Sequence, residues 1–165
     1  MNYTESFKAI DAEIKKADSI VILRHESPDP DAIGSQVGLK EIIRATYPEK
    51  TIYLLGEMPK SLTYIGEMDE ITREQFDASL IIVLDCANTP RIDCPFEVDP
   101  SKVIKIDHHP DRDVYGAISF VDINSSSTSE ILCRFAFGKE STWKVSNEAA
   151  NALYAGIVGD TGRFL

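Results

Sequence analysis

The chain predicts an α/β fold, doubly wound, with a mainly parallel five-stranded sheet and helices on both faces. Three observations lead there. SIVIL at 19–23 and SLIIVLD at 79–85 are apolar almost without interruption, the pattern of strands buried on both faces rather than the alternation of a half-exposed sheet, and KVIKID at 102–107 reads as a further strand. Segments between and around the strands carry apolar residues at helical spacing. Neither a repeat nor a low-complexity stretch breaks the alternation, and no linker divides the 165 residues, so one domain is expected.

Tyr3, Phe7, Ile10, Ile14 and Ala17 recur at steps of four and three, so the N-terminus reads as an amphipathic helix. The first strand follows and runs into RHESPDPDAIGS at 24–35. Pro28 and Pro30 disfavour helical dihedrals in the residue before each, so Ser27 and Asp29 are expected to be extended, aiming Asp29 and Asp31 to one side. Asp31 is well placed to cap the helix AIGSQVGLKEIIRATY, which Pro48 ends. Gly34 and Gly38 fall on one side of it, where they let the helix approach the sheet or a ligand. TIYLLGE is the second strand, KSLTYIGEMDEIT is ambiguous between a short helix and loop, and SLIIVLD is the third strand, ending in Asp85. NTPRIDCPFEVDPS, rich in Pro and Asp, reads as a surface loop. KVIKIDHH is the fourth strand, stopped by Pro110, and AISFVD the fifth. Ser127 with Glu130 forms a capping-box pattern before SEILCRFAF. SNEAANALYAGIV is a further helix opened by a Ser and closed near Gly159–Gly162.

Composition removes several function classes. With 27 Asp+Glu against 17 Lys+Arg the formal net charge is −10, which disfavours binding along duplex DNA but leaves room for a short nucleotide held through metal ions. Three cysteines, Cys86, Cys94 and Cys133, lack zinc-type pairing. The first residues have no signal-peptide core, and no apolar run approaches the ~20 residues of a membrane span. A cytoplasmic protein with reduced thiols is the expectation. GxSxG, Walker A and dinucleotide-binding glycine patterns are absent from the sequence. No residue pattern specifies an oligomeric state.

What remains is a convergence. His25 follows the first strand, Asp85 closes the third, and Asp107, His108 and His109 close the fourth. In open parallel sheets ligands bind beyond the carboxyl ends of the strands, so these residues should meet at one edge with Asp29 and Asp31. Taken singly, an Asp at a strand end is often a turn or cap residue, and His-His beside Pro an idle loop. Together they make a metal site, and Asp and His without paired Cys suit Mn²⁺ or Mg²⁺ better than structural zinc. Two such ions about 3.5–4 Å apart activate a water and stabilise the entering and leaving oxygens of a phosphate displacement; Asp85 is the natural bridging carboxylate. Asp160-Thr161-Gly162 matches the aspartic-protease triplet, but it follows a helical pattern rather than lying in a β setting.

HESPDPDAIGS at 25–35, Asp85 ending LIIVLD, DHHP at 107–110 and GIVGDTGRF at 156–164, in that order, resemble the four signature motifs of the DHH phosphoesterase superfamily. With Arg24 before the first motif and GRF ending the last, the chain is most similar to the bacterial nanoRNase (oligoribonuclease)/phosphoadenosine phosphate phosphatase subgroup. The resemblance implies one Mn²⁺ held by His25, Asp29 and Asp85 and a second held by Asp31, Asp85, His108 and Asp160. It implies His109 as a transition-state stabiliser or acid beside the scissile phosphate, with Asp107 orienting a histidine. Ser125, Ser126 and Ser127 are candidates for substrate contact, although helix capping is the preferred role.

The activity implied is hydrolysis of short RNA oligonucleotides to 5′-mononucleotides and dephosphorylation of 3′-phosphoadenosine 5′-phosphate, with cyclic-dinucleotide phosphodiesterase and family II inorganic pyrophosphatase as alternatives. A non-catalytic nucleotide or metal sensor is the reading from another class. Members of the superfamily continue into a smaller C-terminal domain with a Gly-rich, His-containing motif that grips substrate. Since the sequence stops five residues beyond Asp160, residues 1–165 are expected to be the DHH catalytic domain alone, a truncated piece in preference to a stand-alone catalytic half.

Overall fold

The computed structural model describes residues 2–164. Its five strands are β1 (Ser19–Leu23), β2 (Thr51–Leu54), β3 (Leu80–Leu84), β4 (Ile104–Asp107) and β5 (Ile118–Val121). They lie in the order β2-β1-β3-β4-β5, every neighbouring pair parallel. The long helices are α1 (Tyr3–Lys16), α2 (Pro30–Thr46), α4 (Thr128–Ala136) and α5 (Asn147–Asp160), with a five-residue α3 (Arg73–Asp77) between β2 and β3. The expected α/β architecture and all five strands are present.

The two faces of the sheet are covered unequally. Alternate residues of a strand point to opposite sides. Ile20 and Ile22 join Ile82, Leu84, Ile104, Ile106 and Phe120 in a core shared with α1, α2, α4 and α5. Val21, Leu23 and Val83 face a smaller core closed by Phe76 of α3 and by Leu55, Cys86, Val103 and Tyr115 from strand ends and loops. Crossover handedness accounts for this. Right-handed connections put α2 on one face as the chain steps from β1 to β2. They put α3 and the 85–103 and 108–117 segments on the other as it steps back to β3 and onward. The Pro- and Asp-rich segment expected at the surface therefore contributes Ile92, Cys94 and Phe96 to the second core, and pairs Ile92 with His25 in an isolated antiparallel bridge.

Three local expectations are corrected. Asp29, not Asp31, caps α2: its Oδ1 accepts from the amides of Asp31 (2.9 Å) and Ala32 (3.0 Å), and Pro30 occupies the first helical position, where a missing N–H costs nothing. Ser27 has φ 53° rather than an extended backbone. The turn out of β1 is held tightly there, with the Glu26 amide donating to the Arg91 carbonyl at 2.7 Å. The Ser127–Glu130 capping box is half formed. Ser127 Oγ accepts from the Glu130 amide, but the Glu130 carboxylate turns to Ser126.

The small residues of α2 serve a helix contact rather than the sheet or a ligand. A methyl group on Gly34 would fall 2.5 Å from the Ala152 carbonyl oxygen of α5, and one on Gly38 would strike Leu153. The α2–α5 crossing therefore brings backbone against backbone, and it carries Asp31 at the start of α2 toward Asp160 at the end of α5.

Candidate metal centre

The chain leaves β1 toward β2 on one side and returns past β1 to β3 on the other, so the crevice beyond the carboxyl ends of β1 and β3 is the topological switch point, where such sheets bind ligands. His25 lies just past β1 and Asp85 just past β3. Asp85 has φ 53°, a left-handed backbone that strands do not tolerate; it ends β3 there, its amide still donating to the Ile106 carbonyl at 3.0 Å. Its carboxylate is 1% exposed and faces two ways. Oδ2 is 3.5 Å from His25 Nε2, whereas Oδ1 is 3.5 Å from His108 Nε2 and 3.4 Å from His109 Nδ1.

Around this carboxylate, ligand-type atoms gather into three groups, each lying within 4.8 Å: His25–Asp29–Asp85, Asp31–His108–Asp160 and Asp85–His108–His109. Asp29 and Asp31, expected to aim together, are divided between the first two. All six candidate metal-ligating residues, His25, Asp29, Asp31, Asp85, His108 and Asp160, are thus brought together in these groups. His109 differs in that its Nδ1 is committed to Asp107 Oδ1 at 2.9 Å, which leaves Nε2 free.

Each histidine is oriented through one ring nitrogen. His25 Nδ1 lies 2.7 Å from the Glu26 carbonyl and His108 Nδ1 3.3 Å from the Ser125 carbonyl. Anchoring at Nδ1 aims Nε2 at the carboxylates, the arrangement metal-ligating histidines use. Asp107, fully buried, accepts at Oδ1 from the amides of His108 and His109 and from the His109 ring. Burial alone would raise the Asp107 carboxyl, but those donors, with Lys105 behind, hold it below the ordinary range. His109 is raised chiefly by its bond to Asp107, against the opposing effect of burial.

Asp31 is the most confined carboxylate. Its oxygens accept from the first two amides of α4, Thr128 at 2.7 Å and Ser129 at 3.0 Å, at the positive end of that helix. A side chain on Gly156 would collide with Asp31 and with Ser129 Oγ. Burial, and then the neighbouring Asp85 charge, push the Asp31 carboxyl up to about 7 despite those amides. His108 is opposed by burial, yet Asp160 at 3.1 Å, with Asp85 and Asp31, raises it to about 9. Protons thus stand where positive charge is wanted. Asp85 Oδ2, Asp107 Oδ2 and Ser129 Oγ are buried without a hydrogen-bond partner among the described residues. Orphaned buried polar atoms are costly, and the oxygen and imidazole donors fit hard divalent cations.

The three serines turn to structure. Ser125 Oγ donates to Asp122 Oδ2 at 2.9 Å, Ser126 Oγ donates to Glu130 at 2.8 Å, and Ser127 caps α4. Sequence reasoning missed Thr128, whose amide serves Asp31 and whose hydroxyl donates to Asp85 Oδ1 at 3.2 Å; the signal was the Ser127 cap, which leaves the next amides free for an anion. It also missed Lys105, with no exposed surface, tied to Asp111 at 2.5 Å beneath the Asp107–His109 pair. Size does not mark the site. A cavity of about 200 Å³ touches His25, Asp29, Asp85 and His109, whereas a groove of about 580 Å³ between α2, the 64–69 loop and α5 contains none of the three ligand groups.

The family model described as "DHH family, N-terminal domain" matches residues 19–157. The chain is 50% identical over 160 residues to the probable bifunctional oligoribonuclease and PAP phosphatase NrnA of Streptococcus mutans, covering 97% of this chain and 51% of that protein. It is 49% identical over 149 residues to the Bacillus subtilis bifunctional oligoribonuclease and PAP phosphatase NrnA, covering 90% and 48%. Among solved structures it is similar to an exopolyphosphatase-related protein from Bacteroides fragilis, with TM-score 0.76 and 28% identity over 98% of this chain and 51% of that one. The chain spans about half the length of the curated relatives it matches. No helix among the described residues is long and apolar enough to cross a membrane.

Proposed function

This chain belongs to the DHH family, and on that premise we propose that it is the catalytic half of a metal-dependent phosphoesterase. The substrates are short RNA oligonucleotides, cleaved to 5′-mononucleotides, and 3′-phosphoadenosine 5′-phosphate, which loses its 3′-phosphate. Its similarity to bifunctional oligoribonuclease and PAP phosphatase proteins supports the substrate class. The observation that carries the reading is the two-way aim of Asp85, one oxygen toward His25 and the other toward His108, as a carboxylate bridging two ions requires. His25, Asp29 and Asp85 would hold one Mn²⁺, and Asp31, Asp85, His108 and Asp160 the second, with Mg²⁺ or another hard divalent ion able to substitute.

Ions in such a site acidify a water and neutralise phosphate charge. The remaining work falls to the protein. Asp107 fixes the His109 ring through Nδ1 and raises its proton affinity, which favours the protonated ring whose Nε2–H can donate to the phosphate or the leaving oxygen. The α4 amides hold Asp31 in place, and Ser127 caps α4 while Ser125 and Ser126 bond Asp122 and Glu130, rather than touch substrate. The grip on the nucleotide is assigned to the part of the relatives that this chain does not span.

The test is to incubate the full-length Mn²⁺-loaded protein with labelled RNA dimers to pentamers, a cyclic dinucleotide and pyrophosphate. Release of 5′-mononucleotides from linear RNA, abolished by Asp85→Ala, is expected. Cleavage that survives Asp85→Ala, or metal and nucleotide binding without turnover, would overturn the proposal. Preference for the cyclic or inorganic substrate would reassign the substrate while keeping the centre.

A further inference from the structure

We propose that Arg91 is a phosphate-binding residue of this site, its guanidinium gripping a non-bridging oxygen of the reacting phosphate on the His25–Asp29 side of Asp85. The inference rests on the reading that the centre handles phosphate esters. Of the chain's seven arginines, Arg24, Arg44, Arg73 and Arg134 each meet a carboxylate. Arg91 has no carboxylate partner among the described residues, in a chain of net charge −10, although it lines the same small cavity as Asp29 and Asp85.

The guanidinium is held from the backbone instead. Pro90 and Arg91 sit in a 3-10 turn over Thr89–Arg91. The Glu26 amide donates to the Arg91 carbonyl at 2.7 Å, and Arg91 Nη2 donates back to the Glu26 carbonyl at 3.1 Å. That carbonyl is the one that orients His25, and Nη2 lies 3.1 Å from the His25 ring nitrogen. A guanidinium has five N–H donors; among the described residues, those on Nε and Nη1 have no partner. A stapling role does not need the side chain, because the Glu26–Arg91 backbone bond and the His25–Ile92 bridge already join the two segments. A cation fixed in advance and left uncompensated is arranged for an anion that arrives, and the guanidinium fork matches phosphate oxygens two at a time.

The cavity decides which anion. About 200 Å³, bounded by His25, Ser27, Asp29, Asp85, Arg91 and His109, equals roughly seven water volumes at about 30 Å³ each. That is room for a phosphate group beside Asp85 and His109. The group within reach of Arg91 is therefore the phosphate that also faces Asp85 and His109.

The experiment compares wild type with R91M, R91K and R112M in the full-length Mn²⁺-loaded protein. Arg112 is a fitting control: it too lacks a carboxylate partner among the described residues and lies three residues beyond His109, but it does not line the cavity. Readouts are metal content, affinity for inorganic phosphate and kcat/KM on an RNA dinucleotide. R91M should keep its metal, bind phosphate at least about tenfold more weakly and lose about 10²–10³ in kcat/KM, the range for removing one preorganised donor. R91K should recover part of the loss, and R112M should behave as wild type. Unchanged phosphate affinity in R91M, an equal loss in R112M, or loss of metal from R91M would overturn the assignment. A wild type that hydrolyses nothing would sink the functional reading instead, while Arg91-dependent phosphate binding would still stand.

Discussion

Helix α2 joins two buried carboxylates with opposite fates. Over its seventeen residues, about 25 Å at 1.5 Å per residue, it runs from Asp31 in the metal centre to Tyr47, its C-cap. There Asp11 of α1 accepts from the Tyr47 hydroxyl at 2.6 Å and from the Trp143 indole at 2.7 Å, and meets Lys15 at 2.7 Å. Burial would raise the Asp11 carboxyl, but these partners outweigh it and hold it below the ordinary range. Asp31 has two amide donors yet sits beside Asp85 and Asp160, and is pushed up to about 7. The structural carboxylate Asp11 has its cation and donors supplied by the chain; Asp31, the proposed ligand, faces others of its own sign. The excess of negative charge at one end of α2 is thus a signature of purpose, and the satisfied cluster at the other end is its control.

Breaking each end should separate the two roles. Asp31→Asn is expected to reduce turnover at least about a hundredfold, since even residues that only orient a ligand cost 10–100-fold. The ion held by His25, Asp29 and Asp85 should remain, and the metal-free protein should melt within about 2–4 °C of wild type, the shift that ~1 kcal/mol gives a domain of this size. Calorimetry with metal analysis reads both. A collapse in metal-free stability would show that Asp31 is structural after all, and loss of both ions would overturn the split between them.

Asp11→Ala should do the reverse. It strands the buried Trp143 N–H and the Tyr47 hydroxyl, costing about 2–4 kcal/mol, with turnover per folded molecule unchanged. Thermal melts with assays below the transition test it, and an undiminished melting temperature would erase the contrast.

The smallest effect lies in pH. A carboxyl raised in the folded state binds its proton more tightly there than in the unfolded chain, so Asp31 makes the metal-free protein lose stability as pH rises from about 4 to about 7. His108, raised to about 9, contributes stability that is complete below about 6.5 and lost as pH climbs through 9. Asp11, being depressed, acts only at the acid end, where stability falls as pH drops through its folded value. With metal bound the carboxylates are neutralised by the ion, and binding must release those protons. Melts in chelator should therefore decline from pH 5 to 9, and melts in saturating Mn²⁺ should not. Parallel slopes would contradict the contrast between the two ends.

Most of the fold was legible because β1 and β3 are continuous apolar runs and apolar residues recur at helical spacing along α1. Helix α3 was not, since REQFD offers a single buried residue, Phe76. The N-cap of α2 was misplaced by two because the cap preference was applied to Asp31 without weighing Pro30 as the first helical residue. Coverage of the two sheet faces depends on strand order, which no local pattern encodes. In the centre, the side chains were legible because they follow strand ends. Their supports were not: the amides of Thr128 and Ser129 and the carbonyls of Glu26 and Ser125 are backbone groups that any residue supplies. Nothing in the residue identities around Arg91 marks it apart from other loop arginines.

Asp160 sits in the last turn of α5, where a helix presents its carbonyls and a carboxylate is unwelcome. His108, at 3.1 Å, is the cation that faces it. If Asp160 holds the second ion as proposed, the order of that final turn and the occupancy of the centre are one equilibrium seen from two sides. Whatever fixes the turn raises affinity for the ion, and the ion fixes the turn by the same factor.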